Sequence, residues 1–99
     1  MEIGSEGGIT TILSVMNYHL SNANVQYYGC AALENLAVND NNQVIIAEEE
    51  GITKILLAME IHVSNKDVQH HGCAALRNLA MNDNNRVIIA SEGGITKIL

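Results

Sequence analysis

The residues best suited to chemistry lie in one short string, His70-His71-Gly72-Cys73. His70 and Cys73 stand one turn apart on a helix, and imidazole with thiolate is a common pair of zinc ligands. A structural zinc site takes four such ligands, however. The only similar string, residues 27–30, reads Tyr-Tyr-Gly-Cys and offers one of them. The sequence therefore predicts neither a metal site nor a cofactor.

Catalytic signatures are missing as well. An active site needs a nucleophile, a base and an orienting acid at one place. The chain contains no Gly-rich phosphate loop, no His-Glu-x-x-His and no Gly-x-Ser-x-Gly motif. The acidic residues are scattered along the chain, and the run Glu48-Glu49-Glu50 is typical of a solvated corner before a helix. We therefore do not expect an enzyme.

Charge and hydropathy limit the partners. Eleven acidic residues against five basic ones give a net charge of −6, which argues against a nucleic-acid surface and favours neutral or basic partners. No apolar run approaches the roughly 18 residues that a membrane span needs, and the N-terminus does not resemble a signal peptide. We expect a cytoplasmic protein, with the nucleus as a further possibility, that binds neither nucleic acid nor membrane.

The dominant feature of the sequence is a tandem repeat of 43 residues. Residues 25–56 and 68–99 agree at 25 of 32 positions, and residues 8–20 match residues 51–63 at seven of 13. A period of this length indicates one supersecondary unit stacked on its neighbours. Because the chain has no Pro and its apolar residues are mostly aliphatic, the unit is predicted to be helical.

Each repeat divides into three predicted helices. A short first helix is expected to start at the N-caps Asp40 and Asp83. Glycines at 7–8, 51 and 93–94 permit a sharp bend before the second helix. The apolar stripe of the second helix is Ile52, Ile55, Leu56, Met59 and Val63. Ser64-Asn65-Lys66-Asp67 has capping-box spacing and opens the third helix, residues 66–81, whose counterpart is 23–38.

These boundaries predict one domain over residues 1–99. Residues 1–7 are a truncated first helix, 8–40 a second and third helix, 41–83 a complete repeat, and 84–99 a first helix with the start of a second. The expected fold is an all-α solenoid of about two full repeats plus partial ends.

The third helix has one apolar face that is the same in both copies. Its predicted core residues are Val25, Gly29, Ala32, Leu33 and Leu36, then Val68, Gly72, Ala75, Leu76 and Leu79. Cys30 and Cys73 are expected to be small buried residues, too far apart for a disulfide because neighbouring helices pack 8–10 Å apart. Four of the seven mismatches, at 27/70, 28/71, 34/77 and 38/81, lie on or beside the opposite face. Rings and apolar side chains there favour a binding surface, and packing at the rim is the alternative.

The segments GCAALENLA and GCAALRNLA, each followed by NDNN, a short apolar helix and Gly-Ile-Thr-x-Ile-Leu, resemble armadillo repeats over essentially the whole chain. The 43-residue period and the three helices match that family, whereas a HEAT repeat usually has two helices. The resemblance implies a right-handed superhelix whose third helices line a concave groove. It also implies a scaffold that binds extended segments of other proteins.

The resemblance implies roles for particular residues. Asn35 and Asn78 match the family's asparagine that pairs with the peptide backbone, since an amide supplies both a donor and an acceptor. Their predicted groove neighbours are Tyr28, Ala31 and Glu34 in one repeat and His71, Ala74 and Arg77 in the next. The nuclear-import branch has Trp at the positions of Ala31 and Ala74, so basic nuclear-localisation peptides are not the expected ligand. The two asparagines could instead bond to a neighbouring helix and hold the repeats in register.

Self-association is the alternative function. Neither end of the repeat array shows a polar capping repeat, and solenoids usually need one. About two and a third repeats is also below the three or so that a stable array needs. Head-to-tail contacts between apolar ends are heterologous and can propagate. On this reading the chain forms homo-oligomers or domain swaps through its ends.

Overall fold

A computed structural model describes the backbone of residues 3–92 and the side chains from residue 7 onward. This part of the chain forms six helices and no strand: α1 (Ile3–Tyr18), α2 (Ala23–Leu36), α3 (Asp40–Glu48), α4 (Gly51–Ile61), α5 (Lys66–Leu79) and α6 (Asp83–Ser91). Helices α3, α4 and α5 make one complete three-helix repeat. α1 and α2 correspond to α4 and α5, and α6 corresponds to α3. The predicted all-α repeat fold is confirmed.

The first helix differs from its prediction, which separated residues 1–7 from a helix that starts at residue 8. α1 continues from Ile3 through Gly7 and Gly8 to Tyr18. A glycine pair permits a bend but does not impose one. Apart from the backbone of α1 itself, no described atom lies within 4 Å of a Cβ placed at either glycine. Packing therefore fixes no bend at this point. The predicted bend at Gly93-Gly94 lies outside the described residues.

The bend between α3 and α4 occurs where it was predicted, but the unusual backbone angle is not on the glycine. Glu50 has a φ of 65°, the left-handed region, and is the only non-glycine residue among those described with a positive φ. Gly51 is required for a different reason. A Cβ there would lie 2.8 Å from the carbonyl oxygen of Ile46 and would overlap the Ile46 side chain. The bend thus depends on a strained Glu50 and a close approach at Gly51.

Asparagine residues cap the N-termini of four helices. Asn22, Asn39, Asn65 and Asn82 each accept a hydrogen bond from a backbone N–H in the first turn, at 3.0–3.1 Å. The predicted caps Asp40 and Asp83 are instead the first residues of α3 and α6. Since Asn and Asp cap equally well, two adjacent candidates do not identify the cap. The carboxylates of Asp40 and Asp83 still stabilise these helices, because they lie at the positive end of the helix dipole.

Side-chain amides from the following helix close the C-termini of the second and third helices. Gln26 Nε2 donates to the carbonyl oxygens of Met16 and His19, both at 2.9 Å. Gln69 makes the equivalent bonds to the end of α4. Asn42 and Asn85 donate likewise to Leu36 and Leu79, the last residues of α2 and α5. These bonds satisfy carbonyl groups that a helix end leaves without a partner.

The core contains the predicted apolar stripes, although Leu56 and Met59 of α4 are only half-buried. Every predicted core residue of α5 is buried, whereas Val25, Ala32 and Leu36 of α2 are half-buried. Val63, placed by the sequence in the stripe of the second helix, lies beyond the end of α4 and is 74% exposed. The reason is that α4 ends at Ile61, where His62 turns the chain away.

We expect Glu50→Gly to stabilise the protein. A left-handed residue with a Cβ costs about 1–2 kcal/mol, and the entropy that glycine loses on folding offsets roughly half of this. The net gain should be about 0.5–1 kcal/mol in the free energy of unfolding, measured by denaturant titration. Glu50→Ala is the control, because it removes the 3.9 Å pair with Lys54 but keeps the Cβ. A gain in both variants would contradict an origin in backbone strain.

Gln26→Ala should destabilise the protein more than Gln69→Ala. Both variants remove two hydrogen bonds, but Gln26 is fully buried and Gln69 is partly exposed to solvent. Water can replace the lost donor at residue 69 and not at residue 26, so we expect losses of about 2 and about 1 kcal/mol. Urea unfolding of the two variants measures the difference. Equal losses would mean that burial does not control the strength of these caps.

Candidate peptide-binding face

The two third helices, α2 and α5, lie side by side and form the most extensive helix–helix contact of the described chain. Cys30 of α2, and Val68 and Ala75 of α5, are fully buried in this pair, whereas their counterparts Cys73, Val25 and Ala32 are exposed or half-buried. Because α2 and α5 occupy equivalent places in successive repeats, this contact is the joint between repeats. It positions every residue predicted for the groove.

A polar cluster crosses the joint at Glu34. The Nδ1–H of His71 donates to the Glu34 carboxylate at 2.7 Å, and the amide Nδ2 of Asn78 donates to the Glu34 carbonyl oxygen at 2.8 Å. The rings of His71 and Tyr27 are also in contact, with centroids 5.0 Å apart. The side chain and the backbone of one residue of α2 thus hold two residues of α5, which fixes the register of the two helices.

Two further side chains bind the preceding repeat. His62 Nε2 lies 2.7 Å from the carbonyl oxygen of Leu20, and since a carbonyl only accepts, the ring nitrogen is the donor. Asn85 Nδ2 donates to the carbonyl of Gln43 at 3.0 Å. The repeat pattern predicted no role for His62 or Asn85 beyond the equivalence of the two copies. The available signal was that both residues are identical in the two copies although they are polar.

The predicted groove residues all belong to the paired helices α2 and α5, and we call the surface that they define the α2–α5 face: Tyr28, Ala31, Glu34 and Asn35 of α2, and His71, Ala74, Arg77 and Asn78 of α5. Tyr28 is 66% exposed, and Asn35 and Arg77 are exposed as well. Ala31 and Ala74 are half-buried, so they leave a low surface between the longer side chains. Val38 and Met81 follow the two helices and are each 72% exposed.

The two asparagines differ in what they already bind. Asn78 uses one amide hydrogen on Glu34, so the register-holding role applies to it. Asn35 is exposed and makes no side-chain hydrogen bond with another described residue. Arg77 likewise forms no ion pair within the described chain, whereas Glu34 is engaged by His71. Asn35 and Arg77 are therefore the polar groups of this face that are open to a ligand.

The two cysteines also differ, and the prediction that both are buried is wrong for Cys73. Cys30 is fully buried, and burial raises the pKa of its thiol to about 12. It therefore stays protonated and unreactive near neutral pH. Cys73 is exposed, because it occupies the face of α5 that corresponds to the α2 surface covered in the joint, and no described helix covers it.

The order and packing of these helices define an α-solenoid of three-helix repeats. Comparison with known families agrees, since the family model described as LRRK2 ARM repeat matches residues 7–88. The match covers most of the chain, so the protein belongs to this armadillo-type repeat family, and the resemblance read from the sequence is confirmed. No curated protein and no solved structure matches significantly. The chain is thus a helical-repeat scaffold of a kind that commonly mediates protein interactions.

Residues 3–92 show neither a metal cluster nor a membrane-spanning helix. No group of three or more His, Cys, Asp or Glu residues in this range is arranged to hold a metal ion. In the same range, no helix is both long enough and apolar enough to cross a bilayer.

Asn78→Ala should lower the free energy of unfolding relative to Asn35→Ala by about 1 kcal/mol. Only Asn78 donates across the joint, and a net hydrogen bond contributes roughly this amount. Both variants gain equally from the higher helix propensity of alanine, so their difference isolates the bond. Thermal and urea unfolding of the pair measure it. If the two variants are equally stable, the Asn78–Glu34 bond does not hold the register.

Proposed function

We propose that this protein is a protein-binding module that holds an extended peptide segment across the α2–α5 face. The observation that carries the proposal is that α2 and α5 offer exposed apolar and ring-bearing side chains together with an open amide. Tyr28, Val38 and Met81 are 66–72% exposed, and the exposed Asn35 stands between Tyr28 and Val38 in the sequence. Large apolar groups clustered on a surface that also offers polar contacts are typical of interaction sites.

The peptide backbone is the part of the ligand that the asparagines recognise. The amide of Asn35 provides a donor and an acceptor, so it can pair with a peptide C=O and N–H together. Asn78 has given one hydrogen to Glu34, and its Oδ1 remains as an acceptor for a peptide N–H. The amide of Asn78 thus holds the repeats together and binds the ligand, while the amide of Asn35 is not used in the joint between α2 and α5.

The spacing of the helices sets the length of the ligand. Adjacent helices pack about 8–10 Å apart, and an extended chain advances about 3.3 Å per residue. Asn35 and Asn78 therefore meet backbone groups about three residues apart. A segment of roughly six residues is needed to engage both repeats.

Side-chain selectivity comes from the exposed groups beside the asparagines. Tyr28, Val38 and Met81 favour apolar residues, and the flexible thioether of Met81 adapts to several shapes. The unpaired guanidinium of Arg77 favours an acidic residue opposite α5. The net charge of −6 would repel an acidic ligand, but charges more than about 8 Å away are largely screened at physiological salt. Arg77 therefore determines the charge preference of the ligand residue opposite α5.

Asn35→Ala should weaken peptide capture about tenfold without loss of helicity. This corresponds to about 1.4 kcal/mol, the contribution of one to two hydrogen bonds to the peptide backbone. Binding is measured on an array of 12-residue peptides and then in solution by fluorescence anisotropy of the best binders. Asn17→Ala is the matched control, since Asn17 is an exposed asparagine of α1 away from this face.

Three results would overturn the proposal: an array on which no peptide binds above background, binders whose affinity is the same for Asn35→Ala and the wild type, or equal losses in Asn35→Ala and Asn17→Ala. Arg77→Glu tests the charge preference independently. It should weaken peptides that carry an acidic residue and spare neutral ones.

A further inference from the structure

The N-terminal end of the described repeats carries an open apolar surface. A depression of about 460 Å³ is lined by residues that include Ile12, Val15, Val25, Tyr28 and Ala32. Val15 is 44% exposed and Tyr28 is 66% exposed. We call this surface the N-terminal end face. It lies on α1 and α2, on the side away from α5.

The same positions in the following repeat show what such a face is built to contact. Ile55, Ala58, Val68 and Ala75 stand 43 residues after Ile12, Val15, Val25 and Ala32, and all four are 0% exposed. They are covered because α4 and α5 pack against the preceding repeat. The N-terminal end face therefore corresponds to the surface of α4 and α5 that the preceding repeat covers within this chain.

The opposite end carries the complementary surface. A second depression, of about 600 Å³, is lined by residues that include Val63, Gln69, His70 and Cys73, and we call it the C-terminal end face. Their counterparts in the preceding repeat are Leu20, Gln26, Tyr27 and Cys30, of which Gln26 and Cys30 are 0% exposed and the other two half-buried. The joint between α2 and α5 thus already joins these two kinds of surface within one chain.

We propose that a second copy of this chain stacks head to tail on the first, with the N-terminal end face of one copy on the C-terminal end face of the other, in the geometry of the α2–α5 joint. The occupant follows from the molecule itself. The residues that line the two faces are identical at nine of 17 positions to the two sides of an interface that the chain forms internally, and Ile12, Val25, Ala32, Gln69 and Cys73 are among them. A copy of the chain therefore offers each face a related complement.

The polar contacts of the internal joint have counterparts in the stack. The bond from His62 to the Leu20 carbonyl becomes one from His19 of the second copy to the Val63 carbonyl. The ring contact of Tyr27 with His71 becomes a contact of His70 with Tyr28 of the second copy. The bond from Asn78 to the Glu34 carbonyl becomes one from Asn35 to the Arg77 carbonyl. In the two hydrogen bonds, the side chain of the second copy donates and the main-chain carbonyl of the first copy accepts.

Several differences make the stack weaker than the internal joint. Lys66 and Asp67 line the C-terminal end face where their counterparts are Ala23 and Asn24, so two charges lie at the contact. Val15 stands where the internal joint has Ala58, so two extra methyl groups must be accommodated. The pair His71–Glu34 is replaced by Tyr28 and Arg77, which form no ion pair. Association between separate chains also costs translational and rotational freedom that a linked repeat does not lose. Stacking is therefore concentration-dependent.

A head-to-tail contact leaves one free face of each kind, so it continues beyond the dimer. Light scattering after size exclusion, over roughly 1 µM to 1 mM, should show a mass that rises past twice the chain mass of 10.7 kDa. Alkylation of Cys73 provides a second measure. The Cys73 thiol should become slower to react as concentration rises, because the second copy covers it as α5 covers Cys30, while Cys30 remains unreactive throughout.

Variants at Val15 test the geometry. Val15→Glu places a charge in the joint and should abolish both the rise in mass and the protection of Cys73. Val15→Ala reproduces Ala58 and should keep both. Val44→Glu is the matched control, because Val44 is 42% exposed on α3 and lies outside both end faces. Circular dichroism at low concentration shows that each variant is folded.

The proposal is overturned if the wild type remains monomeric with constant Cys73 reactivity, if Val15→Glu associates like the wild type, or if Val15→Ala does not associate. Peptide capture by Val15→Glu at low concentration should be normal, which separates this proposal from the proposed function.

Discussion

The C-terminal carbonyl groups of the second and third helices need donors, and the chain supplies them from amide side chains of the next helix. No glycine follows any of these helices, and only α5 has a basic residue in its last turn. Gln26 and Gln69 close the second helices, and Asn42 and Asn85 close the third. Each amide binds two elements that meet at an angle, so it fixes that angle as well as satisfying the carbonyls. The side-by-side arrangement of α2 and α5, and with it the α2–α5 face, depends on these bonds.

The α2–α5 face has two components on the same two helices. Glu34, His71 and Asn78 join the helices, and Asn35, Tyr28 and Arg77 extend from the joined surface. A ligand bound across both helices therefore contacts a surface whose register is already set, which lowers the ordering that binding requires. Tyr28 also lies at the edge of the N-terminal end face. A partner at that end and a peptide on the α2–α5 face would thus contact the same ring from different sides.

Much of this fold follows from the sequence because it is repeated. The 43-residue period pointed to the family. The apolar spacing in residues 66–79 predicted the five buried residues of α5. The predictions were wrong where the local sequence allows two conformations and the tertiary structure selects one of them. Gly7 and Gly8 permit a bend, but the packing that would require it is absent around them. Asn39 and Asp40 are adjacent residues of equal capping ability, and only the tertiary structure selects between them.

The exposure of Cys73 and Val63 was missed for a related reason. The repeat pattern predicts which side of a helix packs against an adjacent repeat. Whether that side is buried in a given copy depends on whether a described helix packs on it. The amide caps were not predicted because their acceptors are distant carbonyl groups that leave no mark on the sequence. Identical polar residues at equivalent positions, such as Gln26 and Gln69, were the available sign of them. The roles of individual groove residues remain predictions because no ligand chemistry is encoded by the helical pattern itself.

Three bonds between repeats share one pattern: side chains of His62, Asn78 and Asn85 reach back to the main-chain carbonyls of Leu20, Glu34 and Gln43. A main-chain acceptor is present whatever the side chain, so these three bonds tolerate substitution at the accepting positions but not at the donors. The two copies show this pattern, since all three donors are unchanged 43 residues earlier and all three acceptor positions differ in side chain 43 residues later. A repeat joined in this way can diverge at its outward-facing residues without losing its attachment to the next.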